Sequence, residues 1–229
     1  MPPGNTIITR QTFQFFKDLS RNNRKEWMDA HRDRYQAELV QPLRRLFEDV
    51  APAVLELDER FDTSGRTGPN FSRINRDIRF AKDKTLYKTQ MYLKFSVPAP
   101  ENRETGQLYA GLSVETVTVG FRIYSGAKRK ESTLAQIAEP RVNLDPRWMA
   151  KQKKRLERRY ESYWYTMQKG EWTKHSGWPA DPGDWEKILA WIVRHKMSPA
   201  AATHAQFPKE IARVFRELYP LLRFTSLPD

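Results

Sequence analysis

Apolar side chains recur along this chain with two periods, and each period predicts an element. Between Thr12 and Leu19, Phe13, Phe16 and Leu19 share one side of a helix, which Ser20 to Asn23 interrupts. Asn23 followed by Glu26 has the character of a capping box, and Trp27, His31 and Tyr35 then recur at four-residue spacing on a second helix. His31 on that stripe reads as a packed, hydrogen-bonded residue. Leu43, Leu46, Phe47, Val50 and Val54 mark a third helix after Pro42, with Pro52 placed to kink it.

Farther along, the period changes to two. Met91, Leu93, Phe95 and Val97 alternate with Tyr92, Lys94 and Ser96, and Leu108, Ala110, Leu112 and Val114 repeat the pattern after the connection PAPENRETG. A turn at Glu115 and Thr116 then leads to Val117, Val119, Phe121 and Ile123. Three such runs in succession predict an antiparallel meander. With helices before and after it, and no strand-helix-strand rhythm, the fold class is α+β: an antiparallel β-meander packed against N-terminal and C-terminal helices.

Past the meander, Asp145 to Met167 reads as a basic amphipathic helix, with Asp145 as its cap and Pro146 in its first position. Met149, Leu156, Tyr160 and Tyr163 approximate its apolar face, and Lys151, Lys154, Arg155 and Arg158 lie on the others. Gly170 to Gly183 reads as an irregular connector whose Trp172, His175 and Trp178 either cover the core or stack on bases. Trp185, Ile188, Leu189 and Ile192 suggest another helix, and Pro208 opens a last one striped by Ile211, Phe215, Leu218 and Leu222. The expectation is one domain over residues 1–229, with 140–206 a divergent, mainly helical basic section.

The stretch richest in chemistry is RINRDIRFAKDKTLYKT, Arg73 to Thr89. Arg73, Arg76, Arg79, Lys82, Lys84 and Lys88 are opposed within it only by Asp77 and Asp83. Two carboxylates cannot neutralise six cations, and an unpaired charge is costly to bury. The surplus therefore faces water, meets acids from elsewhere, or receives an anion. Alternation from Arg73 to Phe80 predicts a strand with Arg73, Asn75, Asp77 and Arg79 on one face and Ile74, Ile78 and Phe80 on the other. Arg76 falls among the apolar residues and needs a partner, either Asp83 or an acid outside the stretch. AKDKTLYKT then reads as a loop.

These residues resemble the signature of a widespread family of uncharacterised proteins, the domain of unknown function family 2461, written R-x-x-R-D-x-R-F-[SA]-x-D-K-x-P-Y-K-T. Arg73, Arg76, Asp77, Arg79, Phe80, Asp83, Lys84, Tyr87, Lys88 and Thr89 occupy the signature positions, while Leu86 stands where the family usually has proline. FFKDLSRNNRKEWMDAHRDRY is similar to the family's opening helix pair, and FPKEIARVFRELYPLLRF to its closing helix. Pro140 to Gln206 departs from the family's pattern. The resemblance implies a fold but no activity.

Charge changes the picture more than composition does. The chain carries a formal net charge of +12, and its 30% charged and 39% hydrophobic residues still make a globular composition. Such a balance favours acidic partners, either an anionic small molecule or nucleic acid. The absence of cysteine excludes disulfides and thiol chemistry. No apolar run is long enough to cross a bilayer and MPPGNTIITR lacks a signal-peptide core, so the expectation is a cytoplasmic protein without a membrane partner. No nucleotide-binding loop, zinc-binding His motif or serine-nucleophile motif is present, and no cofactor or metal is implied.

Three readings of the central stretch follow. In the first, Arg73, Arg76, Arg79, Lys84 and Lys88 hold the phosphate or carboxylate of a small ligand. An enzyme of this kind would use Asp77 or Asp83 as base and Tyr87 as acid or hydrogen-bond donor. In the second, the basic surface, including Lys151, Lys154, Arg155 and Arg158, binds nucleic acid. In the third, the stretch is an internal ion-pair network without a ligand.

Overall fold

A computed structural model of the 229-residue chain describes residues 6–79, 81–98, 106–124, 134, 138–145, 147–179, 181–185 and 187–227. Phe80, Pro146 and the 99–105 part of the first hairpin connection lie outside these residues. Six strands, β1 (Gln90–Ser96), β2 (Gln107–Ser113), β3 (Val117–Tyr124), β4 (Glu161–Gln168), β5 (Glu171–Ser176) and β6 (Ala190–Met197), form an antiparallel sheet in the order β1-β2-β3-β6-β4-β5. The fold is α+β, and β1, β2 and β3 are the meander that the period-two runs predict. The described residues gather into two compact units.

The first unit comprises Met1–Phe95, Ala110–Thr118 and Met197–Arg213. It holds α1 (Arg10–Arg21), α2 (Lys25–Ala30), α3 (Arg32–Tyr35), α4 (Gln41–Leu55) and α7 (Pro199–Ala202). The first-helix stripe Phe13, Phe16 and Leu19 is buried together with Phe15, and so is the α4 stripe Leu43, Leu46, Phe47, Val50 and Val54. Phe47 stacks on Phe95 at 4.4 Å with the rings 6° apart. Between α3 and α4 the chain makes a π-helical turn, Gln36–Val40. Pro42 explains it: a proline has no N–H to donate and crowds the carbonyl four residues back, so the ladder widens just before it. Pro52 is accommodated inside α4, which runs on to Leu55.

The second unit comprises Ser96–Tyr109, Val119–Lys196 and Val214–Asp229. It holds α5 (Glu139–Leu144), α6 (Arg147–Leu156) and the part of α8 (Phe207–Ser226) from Val214 onward. Trp191 is its centre, fully buried, with Phe121, Trp178 and Trp185 edge-on to it at 5.5 to 5.8 Å. The Trp191 indole N–H donates to Ser162 Oγ at 3.0 Å. Arg141 closes the C-terminal end of α8, donating to the carbonyls of Arg223, Phe224 and Leu227 at 2.6 to 2.9 Å. A cation on the orphan carbonyls of a helix end both satisfies them and complements the helix dipole.

Four sequence expectations are corrected here. The helix expected over Asp145 to Met167 stops at Leu156, and Glu161 to Gln168 is a strand. Tyr163, Trp164, Tyr165 and Thr166 at its centre are aromatic and β-branched residues, which suit a pleated surface better than a helix. The connector expected over Gly170 to Gly183 contains β5, joined to β4 through Lys169 (φ 49°) and Gly170 (φ 81°). Two successive left-handed residues are the tight turn that matches strand twist, here with Lys-Gly where Asn-Gly is commoner. The helix expected from Trp185 to Ile192 gives way to β6, because LAWIV is a short continuous apolar run whose period does not distinguish helix from buried strand. Finally, α2 is capped by no side chain, its N-cap position being Arg24. Asn23 has a different task.

Candidate functional site

The stretch from Arg73 to Thr89 belongs to the first unit, and it is a closed loop, not the strand expected from Arg73 to Phe80. The alternation in exposure survives: Arg73, Asn75, Asp77 and Arg79 are exposed, Ile74 is buried, and Arg76 and Ile78 are half-buried. The ladder does not form, because only Asn75 pairs, with Tyr87 at the other end of the same loop. Two backbone bonds zip the loop's ends together, Arg76 N–H to Leu86 O at 2.9 Å and Lys88 N–H to Ile74 O at 2.8 Å. Leu86 contributes its carbonyl to this zipper.

Asn23 fastens the zipped loop to the junction between α1 and α2. Its Nδ2 donates to Tyr87 O at 2.8 Å and its Oδ1 accepts from Tyr87 N–H at 2.9 Å, so one amide copies the pairing of a neighbouring strand. The other end is held by Asn70, which is buried and donates to Asp62 O at 2.7 Å and Lys94 O at 3.3 Å. Sequence reasoning missed both. No local pattern marks an amide whose partner lies 64 residues away.

Within the loop the cations divide. Arg76 pairs with Asp83, a partner expected from sequence, and also donates to Thr85 Oγ1. This guanidinium, with the Thr85 amide and hydroxyl, holds the Asp83 carboxyl down to about 2. Arg79 lies across Asp77 in a two-pronged pair at 2.7 and 2.9 Å, which lowers the Asp77 value in the same way. That pair is open to solvent, with side chains 77% and 61% exposed. Lys84 Nζ donates to Ile78 O at 3.0 Å. The side chains of Arg73, Lys82 and Lys88 have no hydrogen-bond or ion-pair partner among the described residues.

Clefts open on both sides of Arg76 and Tyr87. One, about 420 Å³, is lined by Ser20, Asn23, Arg76, Asp83, Thr85, Tyr87, Lys88, Thr89, Gln90 and Tyr92, every one with a polar group. The other, about 410 Å³, contains Lys25, Arg32 and Asp29 beside Met28, Ile74 and Leu86. There Asp29 already engages Arg32 at 2.6 Å and Lys25 at 3.8 Å. Arg73 faces a third, smaller hollow of about 250 Å³ with Arg44 and Tyr35.

The profile of a family of conserved hypothetical proteins, DUF2461, matches residues 11–224. The chain belongs to this family. The match runs through residues 140–206, so the section without motif resemblance lies within the DUF2461 region too. No curated protein matches the sequence. No helix among the described residues is long and apolar enough to cross a membrane.

The remaining candidates lie in the second unit and are not gathered into one cluster of free cations. Lys151 lies 3.7 Å from Asp145, and Arg155 donates to Gln152 Oε1 at 2.7 Å and Glu217 O at 2.9 Å. Arg155, with Arg159 and Tyr160, serves to hold the end of α6 against Glu217 of α8. Lys154 and Arg158 are exposed, and Arg158 sits in the turn beyond the helix.

Proposed function

We propose that this DUF2461 protein binds a small phosphate- or carboxylate-bearing ligand in the 420 Å³ cleft beside the zipped loop. The observation that carries the reading is Lys88, a cation without a partner among the described residues that opens on a cleft lined entirely by polar side chains. The acid in that cleft, Asp83, is already answered by Arg76, so an incoming anion meets the Lys88 charge uncancelled. The Tyr87 and Thr89 hydroxyls, which also line the cleft, can donate to the acceptor oxygens of a phosphate. A volume near 420 Å³ suits a small metabolite.

The reading is of binding, not proton transfer. A carboxylate at about 2 is a weak base near neutrality, and Asp77 is lowered as well. Asp77 and Asp83 hold the loop in shape, Arg76 and Arg79 hold them in turn, and Tyr87 presents a donor to the ligand. The ion-pair network is then the frame of the site, so the structural and ligand-binding readings describe two parts of one device.

Thermal shift against inorganic phosphate and a panel of sugar phosphates, each beside its dephosphorylated parent, tests the proposal. Phosphorylated compounds should raise the melting temperature, Lys88→Ala should abolish the rise, and Arg79→Ala, outside the cleft, should retain it. A Lys88→Ala protein that responds like the wild type would refute the assignment.

A further inference from the structure

The second unit carries a different arrangement of cations, on a face of its strands whose β6 positions Ala190 and Ile192 are buried and whose β5 end is exposed at Trp172. Along β4, Glu161, Tyr163, Tyr165 and Met167 point to one side. The register places Ser176, Lys174 and Trp172 of β5 beside Tyr163, Tyr165 and Met167, and Arg194 of β6 beside Glu161. A Cβ on Gly120 would lie 2.9 Å from Arg194 Cβ, so Gly120, Arg122 and Tyr124 of β3 share this face. The opposite face holds the buried Phe121, Ile123, Trp191 and Val193. Five large hydrophobic side chains are exposed among the described residues, and three of them, Tyr124, Met167 and Trp172, stand on this one face.

Rings and cations interleave across it. Tyr165 meets Tyr163 at 5.9 Å and Trp172 at 5.8 Å, both edge-on. Lys174 Nζ lies 4.3 Å and Arg194 Cζ 5.0 Å from the Tyr163 ring, and Arg122 Cζ lies 4.7 Å from the Tyr109 ring. Among these positions Glu161 is the one carboxylate, bonded to Arg194 at 3.0 Å. A cation held over a ring is positioned without being neutralised, unlike one held by a carboxylate.

We propose that this face is a stacking platform for single-stranded nucleic acid. Trp172 and Tyr165 stack on bases, while Lys174 meets the phosphates. Rings on an open sheet serve only bases whose faces are free, and a duplex hides its base faces within the helix. The occupant is therefore single-stranded, and its binding is tolerant of sequence because every base offers a stacking face. This inference is independent of the small-anion cleft, which belongs to the other unit.

Fluorescence anisotropy of labelled oligouridine, oligothymidine and a duplex of equal length, titrated with the full chain at several salt concentrations, tests it. Either single strand should bind more tightly than the duplex, and the two arms separate RNA from DNA. Trp172→Ala and Tyr165→Ala should each weaken single-strand binding by about tenfold. Lys174→Ala should reduce the salt slope by about one. Trp172 is 46% exposed, so its removal should leave the melting temperature and circular dichroism unchanged.

Three results overturn the proposal. One is no single-strand binding at low salt. Another is binding that survives Trp172→Ala and Tyr165→Ala but is lost in a Lys154→Ala/Arg158→Ala double variant, which would move the contact to α6. The third is a self-associated protein that Trp172→Ala dissociates and that binds no oligonucleotide, which would make the face an interface between copies.

Discussion

The zipped loop of the first unit and the open strand face of the second are both rich in cations, yet they use them differently. In the loop, Arg76 and Arg79 are consumed by Asp83 and Asp77, and Lys84 by a carbonyl. Their charge shapes the backbone, and the Lys88 side chain keeps no partner among the described residues. On the strand face Lys174 rests on the Tyr163 ring, which fixes its position and leaves its charge intact. Counting Lys and Arg therefore locates neither site. What decides is the chemistry of the partner that orders each cation: a carboxylate turns it into a strut, and a ring turns it into a presented charge.

The largest expected effect strikes the strand face. A Cβ at Gly120 would lie 2.3 Å from Val193 O and 2.8 Å from Arg194 Cα, and backbone cannot swing aside as a flexible side chain does. Gly120→Ala should therefore destabilise the protein by about 3 kcal/mol in urea denaturation. A neutral result would mean that Arg194 is not seated over Gly120, and the row of cations and rings would lose its centre.

A smaller effect is expected at the loop's anchor. Asn23→Ala removes two half-buried bonds to the Tyr87 backbone and should cost about 2 kcal/mol, with faster hydrogen exchange at the Tyr87 amide. Unchanged exchange there would show that the backbone zipper alone holds the loop, and the contrast with the strand face would weaken.

The subtlest test uses acid. The Asp83 carboxyl is lowered from 3.8 to about 2 by Arg76 and Thr85, so its contribution is present above pH 3.8 and is lost as pH falls toward about 2. Carboxyl NMR should give a midpoint near 2 for Asp83, with the Thr85 amide losing protection over the same range, because it donates to that carboxylate. Lys174 over the Tyr163 ring has no carboxylate in its contact to protonate, so that contact should persist. A midpoint at the ordinary carboxylate value would dissolve the distinction between strut and presented charge.

Much of the fold is legible in the pattern of side chains. The stripes of α1, α4 and α8 and the alternation of β1, β2 and β3 appear where periodicity predicts them. Of the second unit, β4, β5 and β6 escaped, each for a local reason. Aromatics in ESYWYTMQ mimic a helical face, Lys-Gly is an uncommon tight turn, and LAWIV has no period to read. The site is legible in part: Asp83 as a candidate partner of Arg76 follows from the need to satisfy a half-buried guanidinium, while Asn23 and Asn70 do not announce themselves.

The sequence by itself determined the class of fold, the family and the surplus of positive charge, because periodicity, motif and composition are properties of neighbours along the chain. Only the tertiary structure decided which cations are spent and which remain. Asn23 reaches Tyr87, Arg155 reaches Glu217, and Lys174 settles on Tyr163 through contacts that folding alone creates. A charge is defined by its residue, but its availability depends on what it touches in the folded chain.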